Sequence, residues 1–103
     1  MAKLKLVAAP TFKAKVGIPV AGGIPVEVEM TFKHRTKVEL EAFFKARAGK
    51  SDADSFLDMV SAWELDEELN QTNVHVFLEN YHGAGIETLR KYIDELVQAK
   101  VKN

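Results

Sequence analysis

Between residues 11 and 33 the hydrophobic and polar positions alternate with period two. Phe12, Ala14, Val16, Ile18 and Val20 share one side, with Lys13 and Lys15 opposite; Ile24, Val26, Val28, Met30 and Phe32 repeat the pattern against Glu27, Glu29, Thr31 and Lys33. Such alternation predicts two half-buried strands. Ala21-Gly22-Gly23 lies between them and tolerates positive φ, so a hairpin is expected. Parity selects the register. A three-residue loop pairs Val20 with Ile24, Lys15 with Glu29 and Lys13 with Thr31, which keeps the apolar residues on one face and sets opposite charges across the strands. A two-residue Gly22-Gly23 turn would pair Lys15 with Met30 and mix the faces. Pro19 and Pro25 fall opposite one another near the loop, so that end of the hairpin should lack hydrogen-bonded neighbours.

Beyond the hairpin the period changes to that of helices. Thr36-Lys37-Val38-Glu39 fits a capping box, and Leu40, Phe43 and Phe44 follow at helical spacing, with Gly49 as the stop. Ser51 or Asp52 opens a second helix whose Phe56, Met59, Val60 and Trp63 fall at i, i+3, i+4 and i+7. The acidic stretch Glu64 to Glu68 reads as a loop. Thr72 or Asn73 is the expected cap of a third helix carrying Val74, Phe77, Leu78 and Tyr81, broken by Gly83 and Gly85. A last helix from about Ile86 has Leu89, Ile93, Leu96 and Val97 as its stripe and ends in Lys100 and Lys102, which suit the helix dipole. The predicted architecture is α+β: an N-terminal antiparallel β-hairpin followed by about four α-helices packed on one face, because two strands alone are marginal in water. All 103 residues form one domain, with residues 1–9 an arm or a short extra strand, 11–33 the hairpin and 36–103 the helical part.

Composition narrows the function classes. Apolar residues make up 47% and charged residues 28%, which favours a globular chain over disorder. The net charge of −1 gives no long-range attraction to phosphate backbones or anionic membranes. Without cysteine, disulfides, thiolate metal sites and cysteine nucleophiles are excluded. The apolar run Leu6 to Ala9 is too short for a signal-peptide core, and no stretch reaches the ~20 apolar residues of a transmembrane helix. A soluble, intracellular chain is expected.

Candidate chemistry is sparse. His34, His75 and His82 form no i, i+4 pair of metal ligands. Asp52, Asp54, Asp58, Glu64, Asp66, Glu67 and Glu68 lie along helix starts and a polar loop, where solvation and dipole compensation account for them. Asp52-Ala53-Asp54 begins like a calcium loop but lacks the later glycine and glutamate. Gly22-Gly23 lacks the lysine and following helix of a phosphate loop. The basic run Lys33-His34-Arg35-Thr36-Lys37 reads as a solvated strand-to-helix junction rather than a nucleic-acid contact. Neither catalytic residues nor a cofactor or metal site is assigned. The aromatics are more informative: Phe43 and Phe44 point about 100° apart on one helix and do not both reach one core. Phe43, Phe44 and Trp63, with Val16 and Val28 of the hairpin, are the candidates for protein binding or self-association.

The order of these segments carries a resemblance. Phe32-Lys33-His34-Arg35-Thr36 leads into a helix; Ala62-Trp63-Glu64-Leu65 follows, then Asn73-Val74, Leu78-Glu79-Asn80-Tyr81-His82, Tyr92-Ile93-Asp94-Glu95-Leu96 and the ending Ala99-Lys100-Val101-Lys102-Asn103. Over about residues 10 to 103 the chain resembles the tail assembly chaperones of long-tailed phages and prophages. It departs from their pattern at Ala62, where glycine is expected, and at His82-Gly83, where proline is expected after the tyrosine; these affect loop geometry only.

The resemblance implies a non-enzymatic protein in the cytoplasm of the bacterial host. It would bind the tape measure protein, a long helical chain that sets tail length, hold it soluble while tube subunits polymerise around it, and be absent from the finished virion. The resemblance also implies self-association into a homo-oligomer and contact with the tail tube protein. A longer form of the chain, made by ribosomal frameshifting near Val101-Lys102-Asn103, is implied as well. The alternative is a minor structural tail or head-completion protein.

Overall fold

Lys15 lies opposite Glu29 and Lys13 opposite Thr31 in an antiparallel ladder between β1 (Thr11–Ile18) and β2 (Val26–Lys33), the register that parity requires. The computed structural model describes residues 4–97. The apolar side of the hairpin buries Val16, Ile18, Val28, Met30 and Phe32, with Phe12 and Ala14 half-covered. The strands are shorter than the alternation suggested. Val20 and Ile24 belong to the loop, where the Gly23 N–H donates to Val20 O at 3.0 Å and Gly22 takes φ +76°. Pro19 and Pro25 account for this, since a proline φ near −65° departs from the extended value of about −140°.

A third strand corrects the reading of residues 51–63. The helix that begins after Ser51 ends at Met59, and Val60–Trp63 turns into β3, pairing antiparallel with β2 in the order β1-β2-β3. Met30 faces Trp63, Thr31 faces Ala62 and Phe32 faces Val60, so Ser61 is the extra residue of a bulge. Val60 and Trp63 continue the helical spacing of Phe56 and Met59, but the free edge of β2 offers their backbone a ladder. Short apolar runs are compatible with either state until a partner strand is present.

Four helices cover the apolar face: α1 (Lys37–Arg47), α2 (Asp52–Met59), α3 (Gln71–Asn80) and α4 (Ala84–Val97). The capping box of α1 is complete: the Glu39 N–H donates to Thr36 Oγ1 and the Thr36 N–H to Glu39 Oε1, at 3.2 and 2.8 Å. These hydrogen bonds also hold the Glu39 carboxyl below its ordinary pKa. Ser51 caps α2 through the Asp54 N–H.

The cap of α3 is Asn70, two or three residues before the expected position: its Oδ1 accepts from the Asn73 N–H at 2.8 Å. Asn73 is instead an anchor, donating through Nδ2 to Glu68 O at 2.8 Å. Asn70→Ala is therefore expected to cost about 1 kcal/mol in thermal unfolding, and the exposed Thr72→Ala only a few tenths. Equal losses would contradict this assignment.

Helix α4 begins at Ala84 and contains Gly85, so the three residues Tyr81, His82 and Gly83 connect it to the end of α3 at Asn80. A Cβ on Gly83 would sit 2.8 Å from Pro19 Cγ, so glycine lets the hairpin loop press against the α3–α4 corner. The buried stripe of α4 is Ala84, Thr88, Leu89 and Tyr92; Ile93 and Leu96 are half-covered and Val97 is exposed. The stripe is thus rotated from the expected one, because α4 packs mainly against β1 and presents Tyr92 to the Phe12 and Phe32 rings. Thr88, a polar residue, is wholly buried with its hydroxyl 4.0 Å from Met30 Sδ. Residues 4–10 contain neither helix nor strand and are exposed, while Lys100 and Lys102 lie outside the described residues.

Candidate functional site

Two aromatic clusters organise the interior. The first joins the sheet to α1 and α4. The Phe12, Phe32 and Tyr92 rings stack with centroids 5.5 to 6.1 Å apart, and Phe43 meets Tyr92 edge-on at 5.8 Å. Arg35 closes the cluster. Its Nη1 donates to Asp58 O at 2.6 Å and to Tyr92 Oη at 2.9 Å, and its guanidinium lies 4.7 Å from the Phe43 ring centroid. The Tyr92 hydroxyl in turn donates to Lys33 O at 2.7 Å. Arg35, in the basic run that suggested a solvated junction, is thus turned inward and half-buried. The sequence signal for it was its place in the Phe-Lys-x-Arg-Thr junction, not its charge. Burial raises the Tyr92 pKa above its ordinary value of 10.0, with Arg35 opposing the shift.

The second cluster lies at the other end of the sheet. Trp63 meets Phe56 and Phe77 edge-on at 6.0 and 5.4 Å, and Phe77 meets Tyr81 at 5.5 Å. Trp63 Nε1 donates to Glu67 O at 2.8 Å. Together with the bond from Asn73 to Glu68 O, this ties the acidic loop down over the sheet. Between that loop, the far half of β2 and α3 runs a groove of about 440 Å³. Val26, Trp63, Leu65, Val76 and Tyr81 line it over a floor of Ile18 and Val28, and the only charged lining residue is Glu67. Val26 and Val76 are 54% and 52% exposed. Exposed apolar side chains gathered around a concavity mark a surface for another macromolecule rather than scatter.

The five residues singled out in the sequence divide between these regions. Val16 (1% exposed), Val28 (6%) and Phe43 (4%) are built into the core; of these only Val28 reaches the groove, as part of its floor, and Phe43 belongs to the first cluster. Trp63 is half-buried in the wall of the groove, and Phe44, 41% exposed, stands outside on α1. The sequence did not single out Val26, Val76 or Tyr81 as surface residues. Val26 and Tyr81 belong to amphipathic patterns that read as core, and only the missing cover shows otherwise; Val76 lies off the stripe of its helix.

Among the described residues no group of histidines and carboxylates is placed to hold a metal ion. No helix of the described residues is long and apolar enough to cross a membrane. The residues around the groove make shape and apolar area, with hydrogen bonds spent internally on fixing the loop.

No curated protein and no solved structure matches the chain. A family model described as phage tail assembly chaperone matches residues 1–103, the whole chain. On that match over its whole length, the α+β chain belongs to the phage tail assembly chaperone family.

Proposed function

We propose that this protein binds the tape measure protein of its phage in the host cytoplasm and keeps it soluble until tail tube subunits assemble around it. The groove between β2, the acidic loop and α3 is the observation that carries this reading. A long helical client with exposed apolar side chains aggregates unless those side chains are covered. A groove walled by Trp63, Val76 and Tyr81 covers one short stretch of such a stripe, and Glu64, Asp66, Glu67 and Glu68 on the bordering loop favour clients with basic flanks. One 11.5 kDa domain cannot cover a long chain, so several copies share it, and weak contacts are multiplied by avidity. The protein leaves before the particle is complete, and a longer form made by frameshifting and the tail tube protein are its further partners.

Co-expression with the tape measure protein should raise the soluble fraction of that protein severalfold. Val26→Asp, at an exposed position on the groove wall, should abolish the effect while leaving the chaperone folded. An unchanged soluble fraction with the intact chain would overturn the proposal. Detection of stoichiometric amounts of the chain in purified virions would favour a structural tail component instead.

A further inference from the structure

The outer edge of β2 is covered along only part of its length. β3 pairs with Met30, Thr31 and Phe32. Glu64 extends the cover by one position, donating its N–H to Glu29 O at 3.2 Å and accepting the Glu29 N–H on Oε1 at 2.6 Å. There the chain turns away into the acidic loop.

The His34 N–H donates to Pro10 O, so the hydrogen-bonded pairs with β1 fall on even positions of β2. Odd positions direct their N–H and C=O toward the β3 side, and at Glu27 no described group meets them. The Glu27 side chain is equally unmatched: it stands opposite Gly17 and takes part in none of the ion pairs among the described residues. An open strand edge beside the apolar groove is a template for an added strand.

A second set of uncovered groups has complementary chemistry. Leu4, Leu6 and Val7 are 90%, 101% and 77% exposed, and Lys5 lies between the two leucines. In an extended segment Leu4 and Leu6 share one face and Lys5 takes the other. Laid along β2, that places the leucines over the groove and Lys5 on the polar face beside Glu27, as Lys15 stands beside Glu29 on the other flank.

The segment cannot reach this place within its own chain. It leaves β1 at Pro10, which lies across from His34, seven residues and about 24 Å along the strand from Glu27, whereas residues 4–9 span at most about 20 Å.

We propose that residues 4–7 of a second copy add as a short strand to the open edge at Glu27, with Leu4 and Leu6 in the groove, and that the client displaces them. The displacement rests on the groove being the client's seat; the self-association does not. Because segment and groove lie at opposite ends of the sheet, the contact is heterologous, and repeating it strings copies together. The groove is then never left bare in the free protein, and a row of copies stands ready for a long client.

Sedimentation velocity of the full chain over a range of concentrations tests this without any client. Association is expected, and Leu6→Asp, Lys5→Glu and Glu27→Lys should each weaken it about tenfold or more, with unchanged thermal melts because all three positions lie on the surface. Lys5→Glu and Glu27→Lys combined in one chain should restore it. A Leu6→Asp chain mixed with a Val26→Asp chain should stop at one-to-one complexes, since only one groove and one segment remain. A monomer at every concentration, or assembly indifferent to Leu6→Asp and Glu27→Lys, would overturn the proposal. A peptide of residues 1–10 should compete with a tape measure segment for the intact chain. Client binding by a strictly monomeric chain would sink the exchange and leave the chaperone reading standing; assembly as described without client binding would do the reverse.

Discussion

Phe32→Ala is expected to lower the unfolding free energy by about 3–5 kcal/mol. Phe32 is fully buried and stacks against both Phe12 and Tyr92, with each ring centroid 5.5 Å away. It is also the β2 residue whose backbone faces both Phe12 of β1 and Val60 of β3. Truncation removes the ring from the point where the sheet and α4 meet, and the backbone ladder on either side prevents the strands from closing the void. Domains of this size hold only about 5–15 kcal/mol in total, so a large part of the margin would go. Urea unfolding followed by far-UV circular dichroism should show the midpoint falling steeply with an unchanged slope. Phe44→Ala, at an exposed ring on α1, should shift it by less than about 1 kcal/mol. Comparable losses at the two positions would mean that the stack is not where the fold is held.

Arg35→Ala is expected to cost about 2–4 kcal/mol. One nitrogen of the guanidinium serves both Asp58 O and Tyr92 Oη, and the plane covers Phe43. Removing it leaves a part-buried carbonyl without that donor and loosens the Phe43–Tyr92 contact between α1 and α4. Arg35→Lys should recover less than half of the loss, because an ammonium has neither the planar fork nor the flat face. Tyr92→Phe should cost about 1–2 kcal/mol by itself and less in the Arg35→Ala background, where only the bond to Lys33 O remains to be lost, a coupling that a double-mutant cycle reads directly.

The pH dependence follows from the raised pKa of Tyr92. The folded state binds that proton more tightly than the unfolded chain, so the contribution is fully present below pH 10.0 and is lost as pH rises through the higher folded value. Tyr92→Phe should remove this alkaline component from the stability profile. Additive losses at the two residues would show that Arg35 acts without Tyr92.

How far the fold was legible varied with how local its cause was. The hairpin register followed from parity, because a one-residue slip would move Val16 or Met30 to the polar face. The Thr36 and Ser51 caps followed from side chains that satisfy backbone donors three residues away. Residues 60–63 were read as helix because Val60 and Trp63 keep the spacing of Phe56, and no local signal outweighs that. The same limit applied to α4, where Ile93 and Leu96 fit a stripe as well as Thr88 and Tyr92 do, and to Arg35, whose charge spoke for solvent.

The candidate binding surface was the least legible part. Val26 and Tyr81 have the residue types and spacing of core positions and differ only in being left exposed, while Val76 lies outside the stripe of its helix. Of the five residues selected as contacts, Val16, Val28 and Phe43 proved to lie under the surface and Trp63 in the wall of the groove.

By itself the sequence determined what short-range physics controls: two alternating strands and their register, the helical segments and two of their caps, the lack of thiol chemistry, and the segment order that marks the family. The tertiary structure decided which apolar residues end up inside. It recruited Val60–Trp63 to the free edge of β2, rotated α4 to bring Tyr92 onto the phenylalanine stack, and left the groove open where β3 stops short. Burial and edge pairing depend on partners far away in the chain, and a one-dimensional pattern of apolar residues is the same whether a partner arrives or not.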